Sequence, residues 1–137
     1  MKDMQTELPD GLALGAVLPR EDPRDAFISL KHANISALPT GAIVGTSSLR
    51  RKSQVLSIRP DLSVIDFRGN VETRLRKLKD GVAEATFLAV AGLNRLGLSD
   101  RITAIVPSAD MLPAAAQGRS DLKFAPATRR PRPSSHR

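Results

Sequence analysis

Two stretches carry the clearest chemistry: Thr46-Ser47-Ser48-Leu49-Arg50-Arg51 and Phe67-Arg68-Gly69-Asn70-Val71-Glu72-Thr73-Arg74. Each reads as a strand end, a tight loop and a helix start, with arginines placed where the helix begins. Backbone N–H groups at a helix start lack intrahelical partners and carry partial positive charge. Guanidinium groups added there make a site for an anion, most naturally a carboxylate or phosphate gripped through two parallel hydrogen bonds. Two such sites in succession imply a ligand with several acidic groups.

Each signal has a plainer reading. Arg50, Arg51 and Lys52 taken alone are consistent with a solvated helix face. The Gly45-Thr46-Ser47-Ser48 lead-in favours the anion site, because small hydroxyl residues let donors reach an oxygen. Arg68 follows an apolar strand and precedes Gly69-Asn70, where framework alone has no need of a charge. Arg74 lies in the first turn of its helix, whereas Arg76, Lys77 and Lys79 read as its wet face. His32 and His136 stand alone, without metal-ligand spacing, so no metal is expected. Ser47 and Ser48 have no placed histidine base, and no glycine-rich phosphate loop is present.

The elements that must hold these arginines follow from the pattern of apolar residues. Leu12 to Leu18 reads as a short buried strand, Ala42 to Gly45 as a strand, and Ser47 to Ile58 as a helix capped by Thr46 or Ser47. Leu62 to Phe67 reads as a strand, Asn70 caps a helix to about Lys79, and Asp80-Gly81 ends it. Ala85 to Val90 is a further strand, Gly92 to Leu96 a short helix, and Ile102 to Val106 a last strand before Pro107. Strands alternating with helices give an α/β fold with a mostly parallel sheet and flanking helices. In such sheets ligands sit at the carboxyl ends of strands, where Arg50, Arg51, Arg68 and Arg74 fall.

The 137 residues have room for one domain with an aliphatic core: 41% are hydrophobic, 3% aromatic, and Trp and Tyr are absent. There is no cysteine, which removes disulfides, thiolate metal sites and a cysteine nucleophile. No apolar run approaches the roughly 20 residues that span a bilayer. The opening residues lack the apolar segment of a signal peptide. Most of the net charge of +7 belongs to residues 119–137, where Arg119, Lys123, Arg129, Arg130, Arg132 and Arg137 face a single acid, Asp121. That stretch, rich in Pro and Ser, reads as a disordered basic tail. A basic tail also raises nucleic-acid binding as a reading. The nearly balanced body and the lack of an aromatic stacking platform argue against it.

Several motifs together resemble the porphobilinogen deaminase (hydroxymethylbilane synthase) family over about residues 1–118. They are Met1-Lys2-Asp3-Met4, Leu18-Pro19-Arg20-Glu21-Asp22-Pro23-Arg24-Asp25 and Gly45 through Arg51. They continue with Asp66-Phe67-Arg68-Gly69-Asn70-Val71, Thr73 through Leu78, Ala91 through Leu98, Met111-Leu112-Pro113 and Ala116-Gln117-Gly118.

The resemblance implies a transferase of tetrapyrrole and heme biosynthesis. Such an enzyme condenses four porphobilinogen molecules into a linear tetrapyrrole, releasing ammonia at each step, on a dipyrromethane cofactor linked to a cysteine. It implies a periplasmic-binding-protein-like domain at 14–110, preceded by the end of a first-domain segment and hinge at 1–13. A second hinge at 111–118 contains Gln117, and a disordered tail unlike the family follows at 119–137. Lys2, Thr46, Ser48, Arg50, Arg51, Arg68, Arg74 and Arg95 match groups that hold cofactor and substrate carboxylates. Asp3 matches the catalytic carboxylate, which stabilises a cationic intermediate and moves protons. The partners implied are porphobilinogen and polypyrrole intermediates, with no metal and no membrane, in a cytoplasmic protein that is usually monomeric. The cofactor's anchoring cysteine is missing, so the expectation is an incomplete, inactive piece. The alternative is a non-enzymatic α/β module that binds polycarboxylates.

Overall fold

The computed structural model describes residues 8–124. A five-stranded sheet forms the body. Its strands are β2 (Asp25–Ser29), β3 (Ile43–Gly45), β4 (Ser63–Ile65), β5 (Ala85–Ala89) and β6 (Ala104–Val106). Their spatial order is β4-β3-β5-β2-β6. β3 pairs parallel with both β4 and β5, while β2 runs antiparallel to β5 and β6. Four of the five strands therefore point the same way, and the one reversed strand lies inside the sheet.

Helices cover both faces, which is why the inner strands are mostly apolar. Phe27, Val44, Ala85 and Phe87 pack with Val55 of α1 (Leu49–Ile58), and with Leu38, Leu62 and Met111. Phe27 and Phe87 are register partners, and their rings meet edge to face at 5.6 Å. Ala26, Ile28 and Leu88 turn to the other face. They pack there with Phe67, with Leu78 of α2 (Val71–Lys79), and with Val90 and Leu93 of α3 (Val90–Arg95). Neighbouring residues of β2 thus enter opposite cores, as the period of two requires.

The regular elements lie close to their expected places, with three differences. β2, all five residues of which are buried, is a strand the apolar pattern does not announce. The apolar run at 12–18 forms β1 (Ala13–Val17), but it is exposed rather than buried: it pairs antiparallel with β7 (Asp121–Phe124) in a separate two-stranded ribbon. β7 lies within the stretch read as disordered tail, so that reading is corrected for residues 121–124; residues 125–137 are outside the described part. His32 is not isolated, since its Nε2 lies 2.9 Å from Glu84 Oε2.

The ribbon's two arms are tied where they meet the body. The Leu18 amide donates to the Ser120 carbonyl at 3.0 Å and the Glu21 amide to the Gly118 carbonyl at 2.8 Å. Gly118 has a φ of +80°, and a Cβ there would strike the Glu21 carbonyl. This crossing requires glycine for both reasons.

Candidate functional site

β3 delivers Thr46, Ser47 and Ser48 to the start of α1. The Thr46 Oγ1 accepts from the Ser48 amide at 3.2 Å, and Ser48 caps the helix through the Arg51 amide at 3.4 Å. The cap is therefore Ser48 rather than Thr46 or Ser47. The Ser47 Oγ accepts from the Phe67 amide at 2.9 Å, which braces this loop against the one that carries Arg68. Gly45 completes the brace: a Cβ there would enter the Phe67 ring. Because β3 and β4 are adjacent and parallel, both arginine-bearing helix starts emerge at one edge of the sheet.

The reversed β2 brings its first residue, Asp25, to that same edge, opposite Ala89 at the end of β5. Asp25 is fully buried. Its Oδ1 accepts from Arg51 Nη2 and Gln117 Nε2, each at 2.8 Å, and its Oδ2 from Arg50 Nη2 at 2.7 Å. Burial opposes ionisation of this carboxyl. Hydrogen bonds and charge from Arg51, then bonds from Arg50 and Gln117, outweigh it and hold the carboxyl below its ordinary range. Arg51 also donates to the Phe87 carbonyl at 3.0 Å, while its buried Nε has no hydrogen-bond partner. Arg50 reaches the Leu112 carbonyl as well.

α2 starts differently. Asn70 caps it through the Thr73 amide at 2.8 Å. Arg74 Nε donates to the Gly69 carbonyl at 2.9 Å. Burial, and then the nearby charge of Arg51, lower the Arg74 guanidinium from its ordinary value. The Arg68 side chain is 83% exposed and lies 3.7 Å from Asp66. Lys77 is half-buried: it donates to the Arg68 carbonyl and sits 5.3 Å from the centre of the Phe67 ring.

The predicted residues therefore divide. Arg50, Arg51 and Arg74, with Thr46 and Ser48, gather at the shared edge, and Arg68 stands at its rim. Arg95, at the end of α3, bonds Ser120 Oγ at 2.7 Å and lines a cavity of about 390 Å³ with Gln117, Gly118 and Ser120. Gln117 touches both places. Lys2 and Asp3 lie outside the described residues. Asp25 is the member that sequence reasoning missed; the signal available was a charge opening an otherwise apolar segment just after Pro23.

Comparison with known proteins decides the family. A family model described as "Porphobilinogen deaminase, dipyromethane cofactor binding domain" matches residues 1–125. The chain belongs to the porphobilinogen deaminase family. Porphobilinogen deaminase of Albidiferax ferrireducens is 59% identical over 118 residues, 86% of this chain and 38% of that protein. The Nitrobacter hamburgensis relative is 62% identical over 117 residues, 85% and 37%. The Pisum sativum relative, "Porphobilinogen deaminase, chloroplastic", is 57% identical over 119 residues, 86% and 32%. This chain thus spans little more than a third of the curated relatives it matches. Among solved structures, a TRAP periplasmic solute binding protein from Desulfovibrio salexigens with bound orotic acid aligns over 85% of this chain and 34% of that one. Its TM-score is 0.48 at 19% identity. The match to the family model runs to residue 125, so the expectation of a tail unlike the family from residue 119 is corrected for residues 119–125.

Proposed function

We propose that this chain is the part of a porphobilinogen deaminase that grips the acetate and propionate arms of a pyrrole chain. The supporting observation is that the two adjacent parallel strands β3 and β4 bring two arginine-bearing helix starts to one edge of the sheet, with the Arg68 guanidinium open at its rim. Such an edge suits carboxylates, which accept from exposed guanidinium groups and balance their charge. Arg50, Arg68 and Arg95, with the hydroxyls of Thr46 and Ser48, would extend the grip. Lys2 would add a further cation, and Asp3 would stabilise cationic intermediates and shuttle protons.

The donor set fits the acidic arms of a dipyrromethane group, which when bound supplies the primer that pyrrole units extend. The covalent link does not fit, because the chain has no cysteine. In this reading 14–110 is the second domain, with 1–13 and 111–118 as hinge segments. The intact protein condenses porphobilinogen as a cytoplasmic monomer. Among the described residues no helix is long and apolar enough to cross a membrane.

Calorimetry with a dipyrromethane carrying acetate and propionate on each ring tests the grip. Arg68→Ala should weaken binding by about 1.5–3 kcal/mol, the range of a charge-assisted bond. An unmodified chain that releases no heat with this compound would sink the reading. Incubated alone with porphobilinogen, the chain should form no linear tetrapyrrole; turnover would overturn the view that it is a piece.

A further inference from the structure

The two oxygens of Asp25 are divided between the two arginines that open α1, and Gln117 shares one of them. Arg51 cannot turn away from this arrangement, since its side chain is 7% exposed and a second donor is held by the Phe87 carbonyl. The Gln117 side chain also donates to the Pro23 carbonyl at 2.7 Å, and the residue's main-chain carbonyl accepts from Arg20 Nε at 3.1 Å. One glutamine thus joins the carboxylate to the place where the incoming chain, near residue 20, passes the outgoing chain, near residue 118.

We propose that Asp25 is a positioning residue for Arg50 and Arg51, and that Gln117 registers it against the crossing of the two chain segments. What the arginines grip rests on the carboxylate-binding reading above; the hold on the arginines does not.

Charge balance and positioning predict opposite signs. Asp25→Asn keeps the side chain's size and makes the edge more positive by one charge. If Asp25 only balanced charge, a dipyrromethane with four carboxylates would bind more tightly. If it positions the arginines, affinity falls by about tenfold despite the added charge. Equal or tighter binding overturns the proposal.

A second arm needs no ligand. In nitrogen-15 spectra of the arginine side chains, the Nη protons of Arg50 and Arg51 should exchange slowly with water, and rapidly in Asp25→Asn. Rapid exchange in the unmodified chain overturns the proposal. Slow exchange without affinity for the tetra-acid supports the hold and sinks the carboxylate reading instead. Should Asp25→Asn fail to fold, Gln117→Leu leaves the ion pairs in place and removes the Gln117 side-chain bonds to Asp25 and the Pro23 carbonyl, together with a long 3.5 Å contact to Arg50, so the Arg51 protons are the ones to follow. It should speed the same exchange and cost about threefold in affinity, a fraction of one such bond. No change in either overturns the relay.

Discussion

At the start of α1 the Arg51 side chain is 7% exposed and bonded to a buried carboxylate; just before α2 the Arg68 side chain is 83% exposed and 3.7 Å from Asp66, itself 73% exposed. Both follow a parallel strand, both loops contain small polar residues, and both helices are capped by a side-chain oxygen. The difference lies in what the rest of the chain brings to each. The reversed β2 delivers Asp25 to the first, and nothing comparable reaches the second among the described residues. Position at a helix start makes an arginine available to an anion. A counter-charge from elsewhere decides whether it becomes framework or stays an open hand.

The sharpest way to break this contrast is to remove the counter-charge. Asp25→Ala should destabilise the chain by about 3–5 kcal/mol, because a buried cation loses its partner. Urea unfolding measures this, and a loss under about 1 kcal/mol would mean the pair is not desolvated. Acid should act in the same direction. The folded Asp25 carboxyl is held below its ordinary value, so its contribution is complete above the unfolded pKa of about 4 and is lost as pH falls through the folded value. Unfolding followed between neutral and acid pH should show a shallower acid limb in Asp25→Asn than in the unmodified chain.

Smaller effects test the scaffold that holds the two starts together. Gly45→Ala drives a methyl into the Phe67 ring and should cost about 1–3 kcal/mol as overpacking. A thermal melt unchanged by this substitution would show the loops are not braced there. The caps should differ in rank. Asn70 bonds the Thr73 amide at 2.8 Å, and Ser48 the Arg51 amide at 3.4 Å. Asn70→Ala should therefore cost about 1 kcal/mol and Ser48→Ala about half that. Arg68→Ala should move stability by less than about 0.5 kcal/mol, which makes it the clean variant for binding. A large melt shift would show that Arg68 belongs to the framework after all.

Local signals in the sequence located α2 almost to the residue, because Asn70 is a strong cap and Gly81 a strong stop. α1 was displaced at its start because three hydroxyl residues in a row all suit a cap, and only the fold selects Ser48. β2 was illegible for a different reason. It is buried on both faces, so no alternation shows. Its two polar ends, Asp25 and Ser29, are satisfied by distant groups, Ser29 Oγ donating to the Glu84 carbonyl at 2.6 Å. β1 looked buried because apolar runs usually are, and β7 was hidden by the composition around it; each finds its partner roughly 100 positions away. The arginines at the helix starts were readable from spacing. The carboxylate that accepts from two of them was not, because that relation exists only across the sheet.

Ala13 and Phe124 are register partners in the ribbon, which sets their Cα atoms about 5 Å apart. The α/β body is consequently wired like a lamp on a two-core flex, with both leads leaving through one socket. A unit of that kind asks for no more than one turn's width in the backbone that carries it.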